Sequence, residues 1–365
     1  MKKWLIRLIG VFALFVGILI IIILVSEFDQ AVIKKYVKNN NLQTFKINSK
    51  GTPVDQKSRF VNLEFPYLPS TVELLKWQLS TNPQKDEKQT DSARLAVNDP
   101  TDFLSGTQDG ILWLGHAGFL IRINGISILS DPIFGNPPFV KTFVDVPSPL
   151  EKLQKVDYVL VSHDHRDHCD EETLRQIAQK FPGAKFLGGL GMEELFNDWK
   201  TPSNEVQTAG WHQKFSLKDE TVKIFFLPIR HWSRRGLFDT NKRLWGGFLI
   251  QSAQTTIYFG GDSGYGVHYR ELAEFFPKID YFIVGIGAYE PRWFMKPNHN
   301  SPADTLQGFI DSKAKFLVPM HFGRFDLSDE PASEPLRLLN EKANELSLTD
   351  KIKALNIYEN INLNN

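Results

Sequence analysis

The chain has 365 residues and a 42% hydrophobic share, enough for a sizeable core in one large domain or two ordinary ones, which excludes wholesale disorder. Lys plus Arg total 42 and Asp plus Glu total 42, so the formal charge is zero and no nucleic-acid partner is expected on electrostatic grounds. A single cysteine, Cys169, excludes a disulfide scaffold and a multi-cysteine zinc finger, leaving nine histidines as the metal-binding resource.

From Leu8 to Val25 no side chain is charged or strongly polar. About 18 apolar residues at ~1.5 Å each span ~27 Å, close to the depth of a hydrocarbon core, which predicts a transmembrane helix with the lipid bilayer as partner of residues 8–25. A signal-peptide core is shorter, and Leu24-Val25-Ser26 makes a poor cleavage site, so residues 1–25 read as a retained single-pass anchor. Lys2, Lys3 and Arg7 before it, with Glu27 and Asp29 after it, favour a cytoplasmic N-terminus and a main domain on the non-cytoplasmic side. The bias is modest, because Lys34, Lys35 and Lys38 lie near the exit.

Residues 26–60 hold few periodic apolar positions and read as a stalk, which leaves residues 61–365 for the main domain. Residues 80–109 are polar and turn-rich, as a loop laid over that domain would be. From Ile111 short β-like runs begin: Ile111–Leu114, Phe119–Ile123 and Ile126–Leu129, the last two joined at the hairpin signal Asn124-Gly125. Further strands are expected at Tyr158–Val161, Lys185–Leu187, Val222–Leu227, Phe248–Gln251, Thr256–Phe259, Tyr281–Ile286 and Phe316–Val318. Helices are expected over Glu171–Phe181, Val267–Phe275 and Pro302–Ser312. Hairpins early and alternating helices later imply a layered α/β or α+β domain with mixed sheets.

The most informative stretch is Ser162-His163-Asp164-His165-Arg166-Asp167-His168, directly after an apolar strand. Imidazole and carboxylate are ligands of catalytic zinc, and this spacing lets one loop serve two metals, His163 and His165 facing one, Asp167 and His168 the other. One loop cannot complete two shells. Three more strand-then-ligand arrangements supply the remainder: His231 after Ile224–Leu227, Asp262 after Ile257–Phe259, and His321 after Phe316–Val318.

This set resembles the metallo-β-lactamase superfamily, whose signature is H-x-H-x-D-H followed by a lone histidine, a bridging aspartate and a last histidine. Within it the chain is similar to the zinc-dependent phospholipase D family that hydrolyses N-acylphosphatidylethanolamines, and to its bacterial relatives. The matching segments are Trp113–Ala117, Ser130–Phe134, the His163–His168 loop, Lys242–Gly246, Phe259–Tyr265 and, most narrowly, Gly287-Ala288-Tyr289-Glu290-Pro291-Arg292-Trp293-Phe294-Met295-Lys296. The resemblance covers roughly residues 60–332.

It implies a four-layer αββα sandwich, here preceded by the transmembrane helix, with two zinc ions where the sheets meet, other divalent metals being alternatives. It implies that His163, His165 and His231 hold one ion, that Asp167, His168 and His321 hold the other, and that Asp262 bridges them. Catalytic roles then fall to Asp262, Asp167 and His299, the last a candidate to bind a phosphoryl oxygen or protonate the leaving alkoxide. Pro297 and Asn298 replace the family's usual tyrosine and glutamine, which bears on substrate preference. Asp131 and His116 are candidates to support the ligands from behind. A membrane-lipid substrate follows from the same resemblance, and a homodimer is among the family's options.

Arg234, Arg235 and Arg243 could hold a phosphate or simply line an exposed polar loop. Cys169 reads as a free thiol, and His212 and His268 as surface residues. The competing readings are a metal-dependent lactonase, esterase or general phosphodiesterase on the same fold, and a non-catalytic zinc-containing membrane scaffold.

Overall fold

The computed structural model describes residues 4, 7–12, 14, 17 and 32–363, apart from 69, 138, 139 and 202. The membrane helix expected over residues 8–25 falls largely outside them; among the described residues no helix is long and apolar enough to cross a membrane.

Two seven-stranded sheets form the frame. The first contains β4 (Gly110–Gly115), β5 (Gly118–Ile123), β6 (Ile126–Ser130), β8 (Tyr158–Val161), β9 (Lys185–Gly189), β10 (Val206–Ala209) and β18 (Asn360–Asn362), in the order β10-β9-β8-β6-β5-β4-β18. The second contains β2 (Gln43–Thr44), β11 (Gln213–Lys214), β12 (Lys223–Leu227), β13 (Gly247–Gln251), β14 (Thr256–Phe259), β15 (Tyr281–Gly285) and β16 (Phe316–Met320), in the order β16-β15-β14-β13-β12-β11-β2. Two short pairs stand apart, β1 (Ile33–Val37) with β3 (Thr52–Asp55), and β7 (Lys141–Thr142) with β17 (Phe325–Asp326).

The expected strands and helices all form, because each apolar run buries most of its length: β4, β5, β6, β8 and β14 are buried throughout, and β9, β12, β13, β15 and β16 reach the surface only at their ends. Tyr158–Val161 is buried at every position, as a parallel strand covered on both faces requires. Phe119 of β5 meets Phe259 of β14 edge-on at 6.3 Å, so the two sheets share one core. Helix Glu193–Trp199 packs beside β10 with Glu171–Lys180 against it, while Pro302–Ser312 lies by β15 between His268–Phe275 and Glu334–Glu345. Helices outside and sheets inside give the αββα sandwich.

Local chemistry sets the helix starts. The Asp170 side chain accepts from Thr173 N, and Ser301 and Asp304 close a capping box with Pro302 in the first turn.

The stalk expected over residues 26–60 is corrected from β1 onward. β2 joins the second sheet through β11, and Leu42, Val54 and Phe60 are buried in the core. Apolar residues spaced this sparsely show no period, yet the segment docks through Leu42 before β2, Val54 within β3 and Phe60 beyond it. The 80–109 segment is likewise not wholly loop: it contains helices Lys85–Thr90 and Thr101–Ser105, the latter burying Phe103 and Leu104.

Strand direction positions the site. β6 and β8 are parallel, so Asp131 and Ser162 emerge at the same end. β14, β15 and β16 are parallel, and β12 reaches the same direction through two antiparallel pairings, so His231, Asp262 and His321 also emerge together.

Candidate metal centre

The two sheets bring their loops edge to edge, and seven expected ligands converge. On one side His163 Nε2 lies 3.0 Å from His165 Nδ1, which lies 3.2 Å from His231 Nε2. On the other, His168 Nε2 and His321 Nε2 each lie 3.5 Å from Asp167 Oδ2. Asp262 Oδ2 stands between them, 3.1 Å and 3.2 Å from His168 and His321 and 4.0 Å from both His163 and His231.

Close approach of these loops depends on glycine. A Cβ on Gly261 would fall 2.8 Å from Ser162 Cβ, and one on Gly287 would fall 2.1 Å from the His321 carbonyl oxygen. His116, Asp131 and His321 themselves adopt positive φ of 57°, 35° and 62°, backbone strain gathered at the site.

The polar groups behind the ligands fix which nitrogen faces inward. Ser162 Oγ donates to Asp131 Oδ2 at 2.6 Å, so it must accept from His163 Nδ1 at 2.9 Å. Asp131 Oδ2 also accepts from His168 Nδ1 at 2.8 Å, and the Asn298 carbonyl accepts from His231 Nδ1 at 3.1 Å. Each ring then turns an Nε2 lone pair to the centre. Nε2 of His168 and of His321 is buried without a hydrogen-bond partner despite facing Asp262.

Electrostatics agree with that donor set. Burial, reinforced by neighbouring histidines, holds His163 and His231 far below the ordinary imidazole value. Burial opposes ionisation of Asp167 and Asp262 too, but the surrounding imidazoles overcome it and hold both carboxyls well below the usual range. Burial also disfavours charge on His168 and His321, yet the pull of Asp262 raises His168 well above its ordinary value and His321 to about 9. Neutral His163 and His231, ionised Asp167 and Asp262, and protons drawn onto His168 and His321 at one focus fit divalent cations, which would take the place of those protons.

The other expected residues are placed as follows. Asp131 stands behind His168, fully buried. His116 Nε2 lies 3.1 Å from Asp167 Oδ2 with its ring 4.0 Å from that of His321. It stands close enough to join Asp167, His168 and His321 in one ligand group. His299 Nδ1 lies 3.8 Å from Asp262 Oδ2 at the cavity, and burial pushes it down to about 4 against the pull of Asp262.

The arginine cluster divides. Arg243 Nη1 lies 2.9 Å from Asp164 Oδ2 and 2.7 Å from Asp239 Oδ2, and Arg235 Nη1 donates to the Asp164 and Cys169 carbonyls. These two arginines fasten the ligand loop instead of facing a phosphate. Cys169 is buried, and burial pushes its thiol up. His212 and His268, expected at the surface, are both buried: His212 packs edge-on to Phe45 and Phe275, and His268 pairs with Ser263 Oγ at 3.1 Å.

A cavity of about 300 Å³ opens over the ligands, walled by Leu74, Trp77, Trp232, Phe294 and Met295, with His299 at its floor. Sequence reasoning did not find this wall, which draws on three distant segments. Asn298 stood out in the sequence only for its side chain, whereas its carbonyl, which any residue would supply, is what meets His231; Ser162, adjoining the ligand motif, was the one legible signal.

The family model of the beta-lactamase superfamily domain matches residues 127–322. An N-acyl-phosphatidylethanolamine-hydrolyzing phospholipase D of Caenorhabditis elegans is 32% identical over 275 residues, covering 71% of this chain and 77% of that protein. The mitochondrial protein of that activity in Saccharomyces cerevisiae is 32% identical over 61% of this chain, which spans 49% of its length. Among solved structures, a metallo hydrolase from Ignicoccus hospitalis is similar in fold, with a TM-score of 0.53 and 20% identity over 70% of this chain and 98% of that one.

Proposed function

The chain belongs to the beta-lactamase superfamily and is a metal-dependent hydrolase, and from that premise we propose that it is a dinuclear zinc phosphodiesterase of phospholipase D type. Its substrate is N-acylphosphatidylethanolamine, cleaved to N-acylethanolamine and phosphatidic acid. The observation that carries this reading is Asp262 Oδ2, within 4.0 Å of the inward nitrogens of both histidine groups. A carboxylate so placed would serve two cations at once. The names of the nematode and yeast relatives support this choice of substrate.

His163, His165 and His231 would hold one ion, Asp167, His168 and His321 the other, with Asp262 shared. Bound there, two cations would neutralise the phosphoryl oxygens of an in-line displacement and lower the pKa of water toward about 7. The chain's own residues do the rest. Asp131 and the Asn298 carbonyl hold His168 and His231 in the required tautomers. His299, lining the cavity with its ring kept neutral by burial, is placed to relay a proton from water to the departing ethanolamine oxygen. Trp77, Trp232, Phe294 and Met295 exclude water from one side and offer an apolar wall to acyl chains.

The apolar run at residues 8–25 supports a membrane anchor, with the catalytic domain on the non-cytoplasmic side. Tethering raises the concentration of the site at its lipid.

The test is product analysis by mass spectrometry after incubating the detergent-solubilised full chain with N-acylphosphatidylethanolamine, alongside Asp262→Asn and chelator-treated protein. N-acylethanolamine and phosphatidic acid from the native protein only, with activity restored by zinc after chelation, is the expected result. No product despite two bound metals per chain would sink the lipid substrate and leave a lactone, ester or soluble phosphodiester.

A further inference from the structure

The loop from Trp232 to Arg243 carries a feature that hydrolysis does not use. It leaves His231 with Trp232 in the cavity wall and returns to β13. At its tip, Leu237 and Phe238 are 83% and 86% exposed, two large apolar side chains in succession.

A slack loop would fold such a tip back onto the protein, but this one is braced. Asn241 N donates to the Ser233 carbonyl at 2.8 Å, and the Asn241 side-chain oxygen accepts from Ser233 N at 3.1 Å. Asp239 Oδ1 accepts from Arg235 N and Gly236 N, while Arg243 ties Asp239 Oδ2 to Asp164 in the ligand loop. The Arg235 guanidinium also lies over the Trp199 ring at 4.8 Å. The tip is therefore held outward in fixed relation to the metal centre.

Its flanks are cationic. Arg234 and Lys242 border it in sequence, and Arg166 stands exposed on the ligand loop. Among the acidic neighbours, Asp239 and Asp164 are paired with Arg243, and Glu194 lies 3.9 Å from Arg243 Nη2.

The chain that leads from the apolar N-terminal run enters the fold beside this loop. β1 begins at Ile33 opposite Asp55; just beyond, Phe60 N donates to the Asn241 carbonyl at 2.7 Å and Lys242 Nζ donates to the Lys57 carbonyl. Residues 26–32 can span only about 25 Å when extended, so an anchor at 8–25 would hold this face near the bilayer.

We propose that Leu237 and Phe238 insert into the apolar margin of an anionic bilayer, docking the cavity mouth on the surface that supplies the substrate. An apolar tip with a cationic collar is the chemistry of an interfacial anchor. The proposal rests on the membrane-lipid reading above and assigns the orientation of the site to this loop.

The experiment uses the full chain reconstituted into phosphatidylglycerol–phosphatidylcholine vesicles. Because Cys169 is buried, Phe238→Cys supplies the reactive thiol for an environment-sensitive fluorophore. Gln254→Cys, exposed on the turn between β13 and β14 at the opposite end of the strands from Asp262, is the control. A blue-shifted emission at 238, quenched by brominated acyl chains, with an aqueous spectrum at 254, is expected. Aqueous spectra at both positions would overturn the proposal, whether or not the protein hydrolyses any lipid.

A Leu237→Ser/Phe238→Ser double variant adds a functional arm. Hydrolysis of vesicle lipid should fall about tenfold or more while a short-chain soluble diester is cleaved at the native rate. Equal vesicle rates, or equal losses on both substrates, would count against docking by this loop.

Discussion

Asp131 Oδ2 accepts from His168 Nδ1 at 2.8 Å, and the same carboxylate takes the Ser162 backbone N–H at 2.7 Å and the Ser162 hydroxyl at 2.6 Å. One buried side chain at the end of β6 thereby orients two consecutive ligand segments after β8. Asp131→Ala should lower metal affinity or activity by roughly 10–100-fold, the usual effect of losing a carboxylate behind a ligand imidazole. Metal titration by calorimetry would show it, and native affinity in the variant would remove Asp131 from the ligand support.

His299 lines the cavity 3.8 Å from Asp262 Oδ2 and is not one of the seven expected ligands, so its loss should separate chemistry from metal binding. His299→Ala is expected to keep its metals by plasma mass spectrometry and to lose about 10²–10⁴ in kcat on an alkyl phosphodiester. A nitrophenyl diester, whose leaving group departs without a proton, should be cleaved nearly as fast as by the native protein. Equal losses on both substrates would assign His299 to phosphoryl binding instead.

Arg243 is the cation between Asp164 and Asp239, and the Asp164 carboxylate is wholly buried. Burial raises Asp164 to about 6 with Arg243 opposing. Arg243→Leu leaves that carboxylate uncompensated, and urea unfolding should show a loss of roughly 3–5 kcal/mol. A loss below about 1 kcal/mol would mean that water reaches Asp164.

Glu330 lies in no motif, yet its carboxylate accepts the N–H groups of Ala288, Tyr289 and Glu290 at 2.6, 3.3 and 3.1 Å. It shapes the segment that lines the cavity at Ala288, a residue at a φ of 58°. Glu330→Ala should destabilise the fold by at least about 2 kcal/mol, since buried donors lose their acceptor. Glu330→Gln, which keeps an acceptor oxygen, should lose less; a calorimetric melt that ranks the two the other way would contradict this role.

A layered α/β domain and a metal-type loop at His163–His168 were legible in the chain, and the resemblance added the sandwich and the remaining candidate ligands. Apolar runs such as Tyr158–Val161 report their own burial, and H-x-H-x-D-H after a strand leaves few chemical uses for four ligand-type side chains. Those signals are local, carried by residues within one turn or strand of each other.

The long-range placements came from the folded chain. Strand direction alone brings His231, Asp262 and His321 to the same edge as the 163–168 loop, and sheet pairing alone draws residues 43–44 out of an apparent stalk. Arg235 and Arg243 read as a phosphate cluster or a polar loop until their partners Asp164, Asp239 and the Cys169 carbonyl are in view. His212 and His268 read as surface residues for a related reason. A polar side chain's burial depends on which distant groups satisfy it, and no periodicity along the chain encodes that partner.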